Sequence, residues 1–215
     1  DPTQLKRAVF IALASGVVMA GADGPMAVRI AETTEGQAAE RTGVELRRAL
    51  QMVGNHESYR EARNLVEQAY IREAEAIRSP SVLAEGDAKA VTKIDELAKT
   101  FVETGRAADL KRLETYAKSV GSADIKLTSD EEQASKLIPR KKPGAPAQQG
   151  FGGRGAPTAV PGNGAQEARL FADGKRTILE IRDAVSAEFF PIEAGKFIQY
   201  FRDLEKQGQF EIVQK

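Results

Sequence analysis

A single histidine limits the chemistry that this chain can perform by itself. His56 is the only His among 215 residues, and there is no Cys. A transition-metal site needs several converging imidazole, thiolate or carboxylate ligands, and a nucleophilic triad needs a His beside the nucleophile. His56 follows Gly54-Asn55 at a predicted helix start, and no HExxH, HxD or GxSxG pattern supports it. We expect a surface or capping role for His56, and no catalytic, cofactor-binding or metal-ligating residue in the chain.

Acidic and glycine-rich stretches offer no second source of chemistry. Glu73 and Glu75 lie among Arg72 and Arg78 on the charged side of a helical pattern, where solvated ion pairs are typical. The segment Gly150–Gly155 is rich in glycine, but no strand pattern precedes it and no Lys-Ser or Lys-Thr follows, so it does not match a phosphate loop. We therefore expect this chain alone to act by packing or binding and not as an enzyme.

Composition narrows the classes of partner. Lys plus Arg and Asp plus Glu number 31 each, so the formal net charge is zero and the positive charge typical of nucleic-acid and membrane-surface binders is absent. Hydrophobic residues make up 41% and charged residues 29%, which suits a soluble protein with much exposed helix. We expect neither a nucleic-acid partner nor a membrane partner. The lack of Cys removes disulfides but does not identify the compartment.

Helical periodicity dominates residues 1–137. Apolar residues recur at three- and four-residue spacing over 3–22, 25–53, 59–77, 88–103 and 107–120. Gly36 and Gly43 predict a bend or split in the second segment, and Thr104-Gly105 predicts a break between the fourth and fifth. The sequence Ser129-Asp130-Glu131-Glu132 matches a capping box that would start a short helix. Short connections between amphipathic helices predict an antiparallel helical bundle over 1–137, and no alternating strand pattern appears before residue 165.

Residues 138–165 change character. Seven Gly and five Pro fall within 139–164, and that stretch has no acidic residue. A segment of this composition cannot bury enough apolar surface to offset the entropy lost on ordering, so we predict a flexible linker. Its Arg140-Lys141-Lys142 cluster is expected to be solubilising charge, with contact to an anion as the alternative.

Residues 166–215 return to an ordered pattern. The pattern predicts a strand at 168–171, a helix with a capping box of Thr177 and Glu180, a helix at 192–207 and a strand at 210–213. This order resembles a reduced winged-helix module. Eight basic and nine acidic residues make the module nearly neutral, which favours protein packing over DNA binding. The predicted fold class is therefore mainly α, with a helical bundle, a Gly/Pro linker and a small winged-helix-like α+β module.

The N-terminal segment mimics a secretory signal. Lys6-Arg7 precede an apolar run, Ala8–Ala22, that ends in the small residues Ala20-Gly21-Ala22. The run is shorter than the roughly 20 apolar residues of a membrane span. Asp1-Pro2-Thr3 has the capping residues and early proline of a helix N-terminus. These features favour a buried core helix, with a signal sequence as the alternative.

Two stretches are similar to a known family. Asp1–Arg7 and the apolar helix after it resemble the last catalytic-domain helix of bacterial di-zinc aminopeptidases, the family of the bacterial leucyl aminopeptidases and the glutamate carboxypeptidase-like enzymes. Asp173–Thr177, Glu180–Arg182 and Tyr200–Lys206 are similar to C-terminal extensions of some members. The resemblance thus involves both ends of the chain, with a similar helical segment between them.

The resemblance implies a non-catalytic C-terminal accessory region of a periplasmic or secreted zinc aminopeptidase. The family's zinc ligands and general-base Glu would all lie before Asp1, so zinc is expected in the parent protein and on no residue here. Such a region would shape access to the active site, self-associate or dock a partner, with the upstream catalytic domain as its first contact. An independent helical adaptor with a tethered protein-binding module and a DNA-binding regulator remain as alternatives.

Overall fold

The helices predicted from apolar periodicity form most of the structure, together with one small sheet. A computed structural model describes residues 1–55, 58–123, 125–144 and 159–215. Within them the elements are α1 (Pro2–Ala20), α2 (Gly24–Gly54), α3 (Tyr59–Arg78), a 3₁₀ helix (Ser79–Ala84), α4 (Ala88–Ser119), α5 (Ser129–Ala134), β1 (Leu137–Lys141), α6 (Gly162–Phe171), α7 (Ile178–Glu188), α8 (Ala194–Lys206) and β2 (Phe210–Gln214). The predicted fold class, mainly α with a small α+β part, is confirmed.

Helices α2, α3 and α4 pack into the helical bundle. Each begins at a side-chain cap, because the carboxylates of Asp23 and Asp87 and the hydroxyl of Ser58 accept hydrogen bonds from backbone amides of the first turn. Small side chains on α2 let the helices approach closely, and larger ones fill the space between α3 and α4. The buried core includes Ala27, Ala31, Ala38, Ala49, Val53, Leu65, Val66, Ile77, Ile94, Ala98 and Leu113.

The predicted break at Thr104-Gly105 is wrong, since α4 runs unbroken from Ala88 to Ser119. Gly105 is needed for close approach instead, because a Cβ there would lie 2.6 Å from the Tyr70 hydroxyl. Likewise α2 continues through Gly36 and Gly43. Packing along a long helix outweighs a propensity cost of about 1 kcal/mol per glycine.

The C-terminal module comprises α5, β1, α6, α7, α8 and β2 around a second core. β1 and β2 form a two-stranded antiparallel sheet in which Leu137 lies opposite Gln214 and Lys141 opposite Phe210. Aromatic residues of α8 and β2 fill this core, and the Phe201 ring meets those of Tyr200 and Phe210 edge-on. The buried residues include Leu137, Val160, Ile178, Ile181, Val185, Phe197, Phe201, Leu204 and Phe210.

The predicted linker at 138–165 is wrong at both ends. Residues 138–141 belong to β1, and Gly162–Gly164 begin α6, which also replaces the predicted strand at 168–171. Pairing with β2 and burial of Leu137 and Ile138 order the first end. At the other end, α6 packs closely on α7, because Gly164 has Val185 against it. Residues 145–158 lie outside the described part, and the bundle ends before α5 rather than at residue 137.

The interpretation of α1 as a buried core helix is wrong within this chain. α1 forms as predicted, with Pro2 in its first turn and the Asp1 carboxylate accepting from the Thr3 amide, but none of its residues is buried. The two cores are assembled without it. The apolar run therefore lies on the outside of the described molecule.

Candidate functional site

Two surfaces stand out: the contact between the helical bundle and the C-terminal module, and the bare helix α1. His56 and Gly150–Gly155 lie outside the described residues. Within the described ranges, no group of three or more His, Cys, Asp or Glu side chains is arranged to hold a metal ion.

Glu73 corrects one expectation. It was predicted to lie on a solvated face, yet it is only 4% exposed. Its carboxylate accepts hydrogen bonds from Arg41 Nε at 2.9 Å and Arg41 Nη2 at 2.5 Å, which tie α3 to α2. Glu75 is exposed, as predicted, and pairs with Arg78 at 2.8 Å. Both carboxylates have structural partners.

The Arg140-Lys141-Lys142 cluster was predicted to be linker charge, but it lies at the ordered end of β1. Arg140 faces Glu211 across the sheet, and the Lys142 amide donates to the Gln209 carbonyl at 3.0 Å. Arg140 also packs beside Gly174, in the turn before α7. Cross-strand pairing with Glu211 offsets part of the positive charge.

A cluster of charged side chains joins the bundle to the module. We call it the charged joint; it consists of Arg60 and Glu61 at the start of α3, Glu131 on α5, and Arg182 and Asp183 on α7. All five side chains are at most 19% exposed. The guanidinium on the bundle contacts carboxylates of the module, and the guanidinium on the module contacts a carboxylate of the bundle. Neither the bundle nor the module therefore completes the network alone.

The geometry of the charged joint is that of a continuous network. Arg60 Nε lies 2.9 Å from Glu131 Oε1, and Arg60 Nη2 lies 2.7 Å from Asp183 Oδ1. From the module to the bundle, Arg182 Nη2 lies 2.6 Å from Glu61 Oε1. Several charge-assisted bonds that share the same ions position them better than isolated pairs do.

Backbone contacts extend the network. Arg182 Nε donates to the Ile192 carbonyl at 2.5 Å, and Asn64 Nδ2 donates to the Asp183 carbonyl at 2.9 Å. Burial raises the pKa of Asp183, against the opposing effect of the Arg60 guanidinium. The pKa of Arg182 is raised, because its contacts with Glu61 and Asp183 outweigh the opposing effect of its burial.

The sequence analysis missed this network, although one signal for it exists in the sequence. Arg182 lies four residues after Ile178 and four before Ser186, so it occupies the buried side of α7 rather than the solvated side. An arginine at an apolar-face position requires a buried acidic partner. The partners on α3 and α5 have no such signal, because they are about 50 and 120 residues away along the chain, beyond the reach of any local periodicity.

A cleft flanks the contact between α3 and α7 on each side. One has a volume of about 340 Å³ and is lined by residues that include Met52, Asn64 and Phe189. The other, of about 370 Å³, is more apolar and is lined by Ile71, Ala184 and Phe171 among others. Arg176 stacks over the Phe171 ring at 5.3 Å from its centre. Both clefts exist only while the module stays against the bundle.

The second surface is α1. Its large apolar side chains are 48–73% exposed: Leu5, Val9, Phe10, Ile11, Leu13, Val17, Val18 and Met19. Four of them recur every four residues along one side, whereas Ile11 and Val18 lie on the opposite side. No charged residue occurs between Ala8 and Ala22. In length and composition α1, alone among the described helices, is compatible with crossing a membrane.

Comparison of the chain with models of protein families, with curated proteins and with solved structures gives no match.

Proposed function

We propose that this chain is the non-catalytic C-terminal accessory region of a zinc-dependent aminopeptidase, with α1 packed against the catalytic domain. The observation that carries the proposal is the exposure of α1. A helix that is apolar on all sides is typical of a protein interior or of a membrane. The resemblance of Asp1–Arg7 and the helix after it to the last catalytic-domain helix of that family makes the catalytic domain the proposed occupant, in a periplasmic or secreted enzyme.

The bundle and the C-terminal module would then form the accessory part. We propose that the module, which resembles a reduced winged helix in sequence, packs against protein and does not bind DNA. α7 is already committed to the charged joint, and the charges of α8 are locally balanced, with Lys206 3.1 Å from Asp203 and Lys196 3.6 Å from Glu193. Such a surface offers little attraction to phosphates.

The first test concerns α1. The isolated chain is expected to bind a hydrophobic dye and to self-associate in light scattering, because α1 leaves a large apolar surface in water. The double substitution Phe10→Glu/Leu13→Glu is expected to abolish most of the dye fluorescence and return the chain to a monomer. Leu170→Glu on α6, which replaces an apolar side chain 68% exposed outside α1, is the matched control and should change neither.

Three results would contradict this proposal. A monodisperse chain that binds no dye would mean that α1 is covered by this chain itself. Partition of the chain into neutral-lipid vesicles, with α1 protected from protease, would assign α1 to a membrane. A coding frame before the Asp1 codon that lacks a His close to Asp1, and Asp and Glu-Glu signatures further back, would favour an independent adaptor.

A further inference from the structure

We propose that the helical bundle and the C-terminal module, as far as the structure describes them, move as one rigid body and that the hinge of this chain lies at Gly21–Asp23, between α1 and α2. The sequence predicted a flexible linker at 138–165, which would have let the module move relative to the bundle. The structure favours a different division, because the strand and helices on either side of that segment belong to the same core.

The charged joint holds the module against the bundle. Separating the module from the bundle breaks the bonds of Arg60 to Glu131 and Asp183 and the bond of Arg182 to Glu61 at the same time. A partly opened joint would leave guanidinium and carboxylate groups poorly solvated and without partners, which is strongly unfavourable. Partial opening of the joint is therefore unfavourable, so the module keeps one position relative to the bundle.

The connection between α1 and α2 is short and unpacked. The Gly21 amide bonds back to the Val17 carbonyl at 3.0 Å, and the Asp23 carboxylate accepts from the Met26 amide at 2.9 Å. The Ala22 amide also bonds back to the Met19 carbonyl at 3.3 Å, so the bonds of α1 stop at Ala22 and those of α2 begin at Asp23. Because α1 has no buried residue, no packing fixes its direction relative to α2. A few residues at the ends of elements are the usual site of a hinge.

This division has a mechanical consequence that rests on the proposed function. If α1 stays with a catalytic domain, the bundle and the C-terminal module swing together about Gly21–Asp23 and carry both clefts with them. The rigid body and the hinge themselves follow from this chain alone, so they can be tested without any assumption about α1's partner.

Two distances measured by double electron–electron resonance test the proposal on the full chain. The chain has no Cys, so spin labels can be placed freely at introduced thiols. The pair Glu96→Cys/Arg202→Cys spans the charged joint, and the pair Ser15→Cys/Glu96→Cys spans the hinge; all three positions are exposed. Labelled chain is mixed with excess unlabelled chain, so that only distances within one molecule are recorded.

We expect a single narrow distance across the joint and a distribution at least about twofold wider across the hinge. Arg60→Met should widen the first distribution and leave the second unchanged. Arg63→Met, which removes a surface arginine paired with Glu67 on the same helix, is the matched control and should widen neither. If Arg60→Met loses its helical circular dichroism, Asp183→Asn replaces it and is judged in the same way.

Three outcomes would overturn the proposal. A broad distribution across the joint in the unsubstituted chain would show that the module is loosely held. A narrow one that persists in a folded Arg60→Met chain would mean that the charged joint does not hold it. A narrow distribution across Gly21–Asp23 would remove the hinge. The hinge distance is measured in the Phe10→Glu/Leu13→Glu chain, which is expected to be a monomer, so self-association through α1 cannot set the result.

Discussion

At the scale of single residues, the contact between Tyr70 and α4 shows how one buried hydrogen bond organises the bundle. The Tyr70 hydroxyl donates to Asp109 Oδ2 at 2.7 Å, and the Tyr70 ring packs against Phe101 at 5.4 Å between ring centres. Asp109 also accepts from Arg112 Nη1 at 3.0 Å. Burial and the carboxylate partner raise the pKa of Tyr70 to about 12.

The raised pKa of Tyr70 predicts a loss of stability in strong base. The neutral phenol stabilises the folded state fully below about pH 10, the value in unfolded chains, and this contribution is lost as the pH rises from about 10 to about 12. Tyr70→Phe should cost about 1–2 kcal/mol at pH 7 and should flatten this part of the stability profile. Urea unfolding from pH 7 to 12 measures both effects. Tyr116→Phe, at a more exposed position, controls for the loss of a phenol.

Gly105 gives a second prediction at this scale, in which two effects oppose each other. Alanine has the higher helix propensity by about 1 kcal/mol, but its Cβ would lie 2.6 Å from the Tyr70 hydroxyl. We expect steric strain to win, so that Gly105→Ala lowers the free energy of unfolding by about 1–3 kcal/mol. Gly43→Ala, where nothing lies within 4 Å, should instead be stabilising or neutral in the same denaturation experiment.

At the scale of elements, the two-stranded sheet protects both of its edges. The amides of Lys142 and Lys215 donate hydrogen bonds between the two strands. Because only every second residue of an antiparallel strand bonds to its partner strand, the Ile212 amide points away from β1. Glu205 Oε1 accepts from this outward amide at 2.9 Å. On the other strand, the opposite residue is Pro139, which has no amide hydrogen to offer. Both edges are therefore poor templates for a further strand.

Removing the carboxylate at residue 205 should expose one of these edges. Glu205→Ala leaves the Ile212 amide without its acceptor, and we expect a loss of about 1 kcal/mol in unfolding free energy together with faster aggregation on gentle heating. Glu205→Gln keeps an acceptor oxygen and should behave like the unsubstituted chain. Equal aggregation rates for the two variants in light scattering would mean that the side chain does not guard the edge.

The sequence predicts elements well where their signal is local and poorly where it is distant. Periodicity located α1 to α3, and the Thr177 and Glu180 side chains form the predicted capping box of α7. At α5 the capping box starts one residue earlier than predicted, at Thr128. β1 was missed because Pro139 and the glycines after it resemble a linker. Its order comes from β2, about 70 residues away, which local pattern cannot reveal.

At the scale of the whole molecule, a network of paired charges joins the helical bundle to the C-terminal module. The charged fraction of 29% indicated much exposed helix, but five of the charged side chains instead join the bundle to the module. Arg182 was the one residue whose position signalled burial. Its partners emerge only when α3, α5 and α7 meet, so the candidate site is a property of tertiary structure. The exposure of α1 is likewise a property of tertiary structure, so the sequence predicted the helix but not that its apolar side chains are exposed.

The pairing of β1 with β2 also dictates an order of assembly during synthesis. Contacts in the bundle join neighbouring helices, whereas β1 must wait until roughly 70 further residues are made before its partner exists. At about 5–20 residues per second this delay lasts several seconds. For that time Leu137 and Ile138 lack their strand partner. The bundle is therefore expected to fold first, with Arg60 and Glu61 still exposed. The module then folds and completes the charged joint.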